Sequence, residues 1–351
     1  MRYSLFGESH GPAIGIVLQD VPAGIDVDMD FIAAEMARRA PGGSLSTARR
    51  EKDRVRIVSG VFEGKTCGTP LCGIIENTDA HSGDYAATRW LPRPGHADLA
   101  AHIRYGGFED YRGGGHFSGR LTAPLVFAGA IAKLALLRHG VEIFAHVRSI
   151  AGIADCDLDC ARPDALALRA LRQKELAVLS EERGEAMRQA ILEARSGGDS
   201  VGGSVECLIT GLPAGLGGPD FDENLEGIIA RHIFAIPAVK ALEFGAGTAF
   251  AGMRGSEAND PYLPGDPLPV TQGNRNGGIN GGISNGMPIA FTVTIKPTPS
   301  IAREQRTVDM RSGEAATLAI SGRHDPCIVP RAVPAIEAAA ALAASETGAL
   351  G

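Results

Sequence analysis

Residues 11–24 read GPAIGIVLQDVPAG, and residues 198–215 read GDSVGGSVECLITGLPAG. Each runs from a glycine through a β-type stretch to Pro-Ala-Gly. Each is followed by an acidic, helix-forming segment, DVDMDFIAAEM after the first and DFDENLEGIIA after the second. The second copy is four residues longer between the aligned glycine and proline. Read as a true repeat, the pair gives a fold of two similar halves about a pseudo-two-fold axis; chance likeness between two strand–turn–helix units is the alternative. Outward from this pair, strands are predicted over 2–9, 15–18, 55–62, 71–77, 141–149 and 289–295. A helix is predicted over 28–39, with Asp28 or Asp30 as cap and Phe31, Ile32 and Met36 inward. A buried helix follows over 124–138, with Pro124 in its first turn and His139-Gly140 as its end. Helical periodicity over 164–195 carries a break near Ser180-Glu181, and a small-residue helix spans 330–344. No linker stands out, so 1–351 reads as one domain, and strands that do not alternate strictly with helices favour α+β over a doubly wound sheet.

The composition, 44% hydrophobic and 21% charged with a net charge of −7, describes a globular chain with a large core. There is no run of 18 apolar residues, so no membrane span is expected. The start, MRYSLFGESHG, lacks the basic and apolar stretches of a signal peptide. Six cysteines are scattered without CxxC spacing, and no nearby histidine completes CDLDC at 156–160 as a metal site. Free thiols in a reducing cytoplasm and no metal are expected. An acidic chain with local arginine clusters suits a small anionic ligand rather than nucleic acid.

Those clusters centre on 93–123, RPGHADLAAHIRYGGFEDYRGGGHFSGRLTA. It carries Arg93, Arg104, Arg112 and Arg120, together with His96, His102 and His116, around the triplet Gly113-Gly114-Gly115. Because it feeds the helix predicted over 124–138, bare N–H groups, the positive end of a helix dipole and several guanidinium groups converge, which suits phosphate. A solvated charged loop is the plainer alternative. His10 follows the first strand in GESHG, where a histidine more often serves function than core. Arg49 lies in a polar loop that also reads as ordinary basic surface. Lys296, with Thr298 and Ser300 at a strand end, forms a second candidate phosphate grip, and Arg323, His324 and Asp325 stand together in SGRHDPC. The glycine-rich run 273–286 is too long for mere connection, and reads as disordered or wrapped round a ligand.

GESHG, RPGHAD, the RGGG run with its following AGAIAK, PAVK-x-x-E-x-G, GGIxGGIS, KPT-x-S and GRHDPC occur in the order found in chorismate synthases, and the resemblance runs from Phe6 to about Pro334. It implies a β-α-β sandwich, with a helical layer between antiparallel sheets in two pseudo-symmetric halves. It implies a cytoplasmic homotetramer that converts 5-enolpyruvylshikimate 3-phosphate (EPSP) to chorismate by anti-1,4-elimination of phosphate, the last step of the shikimate pathway. Reduced FMN is implied as cofactor, supplying an electron transiently to weaken the C–O bond. By the same resemblance His96 acts on the phosphate, His10 acts at the reduced flavin, and Asp325 helps remove the proton by way of flavin N5. Arg39, Arg49, Arg93 and Arg120 hold the substrate's anions, with Arg39 an alternative contact for NADPH. FMN contacts fall to His116, Phe117, Ser118, Ala238, Gly281, Lys296, Pro297, Thr298, Pro299, Ser300 and Arg323. The chain has no strand-bound GxGxxG, so NADPH is expected to act indirectly, through an external flavin reductase. Two places depart from the commonest family pattern: His116, Phe117 and Leu121 replace arginine, serine and glutamate, and Leu45 stands where a second arginine is usual. The resemblance gives His102 no role.

Overall fold

The computed structural model describes residues 1–43, 45–46, 53–78, 85, 88–320 and 324–350. The first half runs β1 (Arg2–Gly7), β2 (Ala13–Gln19), α1 (Met29–Arg39), β3 (Val55–Ser59), β4 (Leu71–Glu76), α2 (Asp98–Tyr105) and α3 (Thr122–Leu137). The second runs β5 (Glu142–Ile150), β6 (Ile153–Ala154), α4 (Ala165–Leu171), α5 (Glu181–Ser196), β7 (Gly203–Thr210), α6 (Leu225–Phe234), β8 (Val239–Phe244), β9 (Ile289–Ile295) and α7 (Val329–Glu346). One sheet has the order β1-β2-β4-β3 and the other β8-β9-β7-β5-β6, and all their pairings are antiparallel.

With the two-residue strand β6 set aside, both sheets follow one plan. The first and second strands pair, a helix intervenes, and the fourth strand inserts between the second and the third. The repeat is therefore real in the architecture: β2 with α1 corresponds to β7 with α6, and α3 to α7. Alternation places Ile14, Ile16 and Leu18 of β2, and Val205, Cys207 and Ile209 of β7, on faces with almost no exposure. Those faces bury against the helices. The result is an α+β sandwich with α1, α3, α6 and α7 between two antiparallel sheets.

The helices α3 and α7 cross at backbone contact. A Cβ added at Gly129 would stand 2.2 Å from the Cβ of Ala338 and 2.3 Å from its Cα, so the backbones touch there. The alanine run of α7 is wholly buried, which is what helices at this distance require. The stretch Gly119–Leu137 is apolar and long enough by composition to cross a membrane, yet 83% of it is buried inside the protein. In this fold it is the helix at the centre of the sandwich.

Into this apolar layer the chain places four charges. Arg38 grips Glu337 with Nη1–Oε2 at 2.6 Å and Nη2–Oε1 at 2.9 Å, and reaches Glu35 Oε1 at 3.0 Å. Lys133 Nζ bridges Glu35 and Glu337, and the Ala145 N–H donates to Glu337 Oε1 at 3.0 Å. Burial alone would raise the Glu337 carboxyl; Arg38 and Lys133 outweigh it and hold the group well below the usual carboxylate range.

Several boundaries differ from the sequence reading. The strand expected over 55–62 is cut at Gly60, whose φ of +84° turns the chain into a separate hairpin of Val61–Phe62 and Lys65–Thr66. The break expected near Ser180-Glu181 is by contrast present: the helical stretch of 164–195 divides into α4 and α5, and Ser180 caps α5 by accepting from the Arg183 N–H. The run 273–286 is neither disordered nor part of the cavity described below. It forms a short hairpin, Ile279–Asn280 with Ile283–Ser284, docked on the turn after β7 by Ser284 bonds to Pro213, Gly215 and Leu216.

Gly129→Val forces the central helices apart and is expected to cost about 1–3 kcal/mol, the scale of an overpacked core. An unchanged urea midpoint contradicts the close crossing. For Glu337, whose folded pKa is depressed, the stabilisation stands above the ordinary glutamate value of about 4.3 and is lost as pH falls through the folded value. Lys133→Met removes one of its two cations, so it is expected to cost about 3–5 kcal/mol at neutral pH. It should also move acid unfolding, followed by circular dichroism, to higher pH; a midpoint that stays or falls contradicts the pairing.

Candidate active site

The N-terminal turns of α3 and α7 open on one cavity of about 610 Å³, lined by Thr122 and Leu125 from the first and by Arg331, Ala332 and Ala335 from the second. Two helix dipoles thus present their positive ends to the same space, which favours an anion. The wall adds Arg39, Arg93, Arg120, Lys240 and Lys296 to Arg331, and among the described lining residues the only acid is Asp325. A chain of net negative charge has therefore concentrated cations at this point.

The cations are held from behind by carboxylates. Asp53, with no side-chain exposure, accepts from Arg39 Nη1 on one oxygen and from Arg120 Nη1 on the other. Arg39 Nε also donates to Thr122 Oγ1 at 3.2 Å, and Arg120 Nε to Asn77 Oδ1 at 3.1 Å. Arg93 closes a double hydrogen bond on Asp98, Nε to Oδ2 and Nη2 to Oδ1, both at 2.7 Å. The Nη1 of Arg93 reaches Ser300 Oγ at 3.1 Å. His96 Nδ1 lies 2.5 Å from Asp98 Oδ1. Burial pushes the Asp98 carboxyl up, but its hydrogen bonds from Arg93 and His96 prevail and leave it well below the ordinary range. Arg331 spans Asp325 Oδ2 at 2.5 Å and the Arg39 carbonyl at 2.9 Å.

The glycine triplet serves the two histidines. Gly113, at φ +61°, leaves no room for a Cβ, which would stand 2.0 Å from His10 Cε1. At Gly114, with φ +99°, it would stand 3.1 Å from His96 Nε2. His10 is buried, 3.1 Å from Ser9 Oγ through Nδ1, with its ring edge-on to Tyr85 at 5.0 Å.

Of the residues singled out from the sequence, Arg39, Arg93, His96, His116, Phe117, Ser118, Arg120, Ala238, Lys296, Thr298, Pro299, Ser300 and Asp325 line the cavity. His10 sits one layer behind, against the lining residues Gly113 and Tyr85. Gly281 and Pro297 are not among the lining residues. Gly281 is at the tip of the 279–284 hairpin, and Pro297 packs against Gly202. Arg49 and Arg323 lie outside the described residues. Arg112, in the loop before α3, pairs with Asp110, and Arg104, in the last turn of α2, lies over the Tyr105 ring; neither lines the cavity. His102 bonds Glu109 and meets Trp90 edge-on, a scaffold position.

Sequence reasoning missed Arg331, Lys240, Tyr85 and Asp53. Arg331 did leave a signal, since a cation in the first turn of a helix opposes the dipole and calls for a local partner. A second cavity of about 610 Å³ lies beside α1, lined by Arg38, Arg172, Lys174 and Arg331 together with Glu35 and Glu175. Among the described lining residues two acids thus stand among four cations there, against one acid among six cations in the cavity at the helix N-termini.

Comparison with known proteins agrees with this geometry. The family model for chorismate synthase matches residues 1–347. The chain belongs to the chorismate synthase family. The chorismate synthase of Aeropyrum pernix is 49% identical over 97% of this chain and 89% of its own length. That of Thermococcus gammatolerans is 46% identical over 96% and 93%. A crystal structure of a chorismate synthase superposes with a TM-score of 0.78 at 28% identity, covering 99% of this chain and 90% of that one. The chain is accordingly a lyase that removes phosphate, in the route to aromatic amino acids. Its two departures from the commoner pattern now have a structural setting. Leu45 is a core residue at 3% exposure, so packing has taken the place of a cation there. His116 donates from Nδ1 to the Gly7 carbonyl at 2.9 Å, which requires the proton on that nitrogen.

Asp53 is the shared counter-ion of two buried arginines, so Asp53→Ala leaves both uncompensated. The expected loss is about 3–5 kcal/mol of unfolding free energy. Denaturation in urea reads it, and a loss below about 1 kcal/mol, the worth of a surface pair, contradicts the role.

Proposed function

We propose that this chain catalyses the anti-1,4-elimination of phosphate from EPSP to give chorismate, with reduced FMN as an obligatory cofactor. The observation that carries the reading is a histidine, His96, fixed between Arg93 and Asp98 in a cation-lined cavity onto which two helix N-termini open. EPSP brings a phosphate and two carboxylates, and Arg39, Arg93 and Arg120 supply guanidinium groups to hold them. The residues also fit a flavin. Thr298 Oγ1 is buried without a hydrogen-bond partner, and at Gly119 nothing lies within 4 Å of where a Cβ would stand, so backbone is open to a flat ring. Phe117 turns a half-exposed ring to the same space. When bound, reduced FMN supplies an electron transiently to the breaking C–O bond. Ser118, Ala238, Lys296, Thr298, Pro299 and Ser300 would hold it.

In this reading the His96 imidazolium gives its Nε2 proton to a phosphate oxygen as the bond breaks, so that phosphate leaves with less charge. His10, buried beside Gly113, holds a proton at the cofactor's edge. Asp325, oriented by Arg331, takes up the proton removed from the substrate ring. The whole chain, 1–351, would act as one domain, in a cytoplasmic homotetramer, with FMN reduced by a separate NADPH-dependent reductase.

Anaerobic phosphate release from EPSP tests the proposal. Release is expected with photoreduced FMN and not with oxidised FMN. His10→Ala and His96→Ala are each expected to slow it at least about tenfold to a hundredfold, the lower end of what a lost acid–base group costs, with FMN binding retained. Release without reduced flavin, or none with it, contradicts the function; wild-type rates in either variant remove that histidine from the mechanism.

A further inference from the structure

We propose that Asp98 is a positioning residue whose single carboxylate sets both the tautomer of His96 and the direction of Arg93. It rests on the reading of His96 as the acid at the phosphate. The geometry decides which ring nitrogen carries the proton. Nδ1 of His96 lies 2.5 Å from Asp98 Oδ1 and 3.1 Å from Arg93 Nη2. A bare Nδ1 would accept from the guanidinium but would set its lone pair against an ionised carboxylate at the shorter distance. With the proton on Nδ1, the ring donates to that carboxylate, a short charge-assisted bond. Arg93 Nη2 has its own place on the same oxygen at 2.7 Å. The neutral imidazole is therefore the Nδ1–H form, and the proton that comes and goes is the one on Nε2.

That nitrogen takes no hydrogen bond from the described residues, and it lies beside Gly114, where only a missing side chain leaves it uncovered. Transfer then balances simply. The Nε2–H bond breaks as a phosphate O–H bond forms, the Nδ1 proton stays on the ring, and Asp98 remains ionised throughout. The second oxygen of Asp98 works on Arg93, accepting from Nε at 2.7 Å and from the backbone N–H at 2.9 Å. The guanidinium is so held edge-on to the carboxylate, with Nη1 directed to Ser300. The arrangement has the logic of the acid–base–orienter trio, in which replacing the orienting carboxylate by an amide keeps the shape and puts the proton on the wrong nitrogen. Asp98 is also the first residue of α2, where any acid favours the dipole. A role confined to the helix would leave the tautomer of His96 untouched, and this separates the two accounts.

The test is nitrogen NMR of the full chain labelled at histidine, without ligands, with the His96→Gln spectrum identifying the His96 signals. Wild type should show neutral His96 with its proton on Nδ1. Asp98→Asn should shift it towards Nε2–H, lower kcat for EPSP about tenfold to a hundredfold, and raise KM through a loosened Arg93. Asp98→Glu should recover part of the Nδ1–H population. A wild-type ring protonated on Nε2 when neutral overturns the proposal by itself, even if no variant folds. So does Asp98→Asn with an unchanged tautomer, or with a changed tautomer and wild-type kcat. Should the chain fail to turn over EPSP at all, the proposed function falls, while the wild-type tautomer still decides Asp98.

Discussion

The carboxylate of Glu337, buried completely between two cations, is the constraint on which the rest of the molecule rests. It sits in α7, receives Arg38 from α1 and Lys133 from α3, and takes a backbone N–H from β5. Three helices and one sheet are thereby keyed to one side chain. A single pair of charges at about 4 Å attracts by about 4 kcal/mol at an effective dielectric near 20, and the cost of taking such groups out of water is of comparable size. The cluster is therefore better understood as fixing one arrangement than as adding net stability. Apolar residues of α3 and α7 alone would allow those alanine-rich surfaces to slide. With Lys133 and Glu337 in register, Gly129 meets Ala338.

This register is what builds the site. It brings the first turns of α3 and α7 to one cavity, although they begin in different halves of the chain. Neighbouring residues at the end of α1 then divide the work. Arg38 turns into the core cluster and Arg39 turns to Asp53 at the cavity wall. Carboxylates repeat the same device around the wall, buried Asp53 behind Arg39 and Arg120, and partly buried Asp98 behind Arg93 and His96. Each holds its cations in a fixed direction before any ligand arrives, so little reorganisation remains for the moment of reaction. The sign of the cavity follows from count and placement: the acids are drawn back and the guanidinium groups stand forward.

What could be read in the sequence, and what could not, divides by range. The halves were legible because the PAG turns and their flanking strand and helix patterns are local and occur twice. The helices of 122–137 and 329–346 were legible from runs of small apolar residues, and GESHG, RPGHAD and GRHDPC supplied many of the candidate site residues. Asp53 was not legible, since its partners Arg39 and Arg120 lie 14 and 67 positions away, and nothing in EKDRV marks the aspartate as buried. Lys133 and Glu337 carried a signal that went unused, a lone charge in an otherwise apolar helix. The run 273–286 was harder to read because glycine answers to more than one demand. At Gly277 and Gly278 a Cβ would strike the backbone of residues 290 and 288 at 2.6 and 2.5 Å, so close approach of the chain to itself explains those glycines without a ligand.

On the function proposed above, phosphate departs at the joined N-termini of the two central helices, with the cations held behind them. A crystal structure of the chain with oxidised FMN and EPSP tests it most directly. The substrate phosphate is expected in the cavity at the first turns of α3 and α7, within hydrogen-bond reach of His96 Nε2 and of the Arg93 guanidinium. A substrate bound elsewhere, for instance beside Arg172 and Lys174 in the second cavity, or one whose phosphate points away from His96, would contradict it.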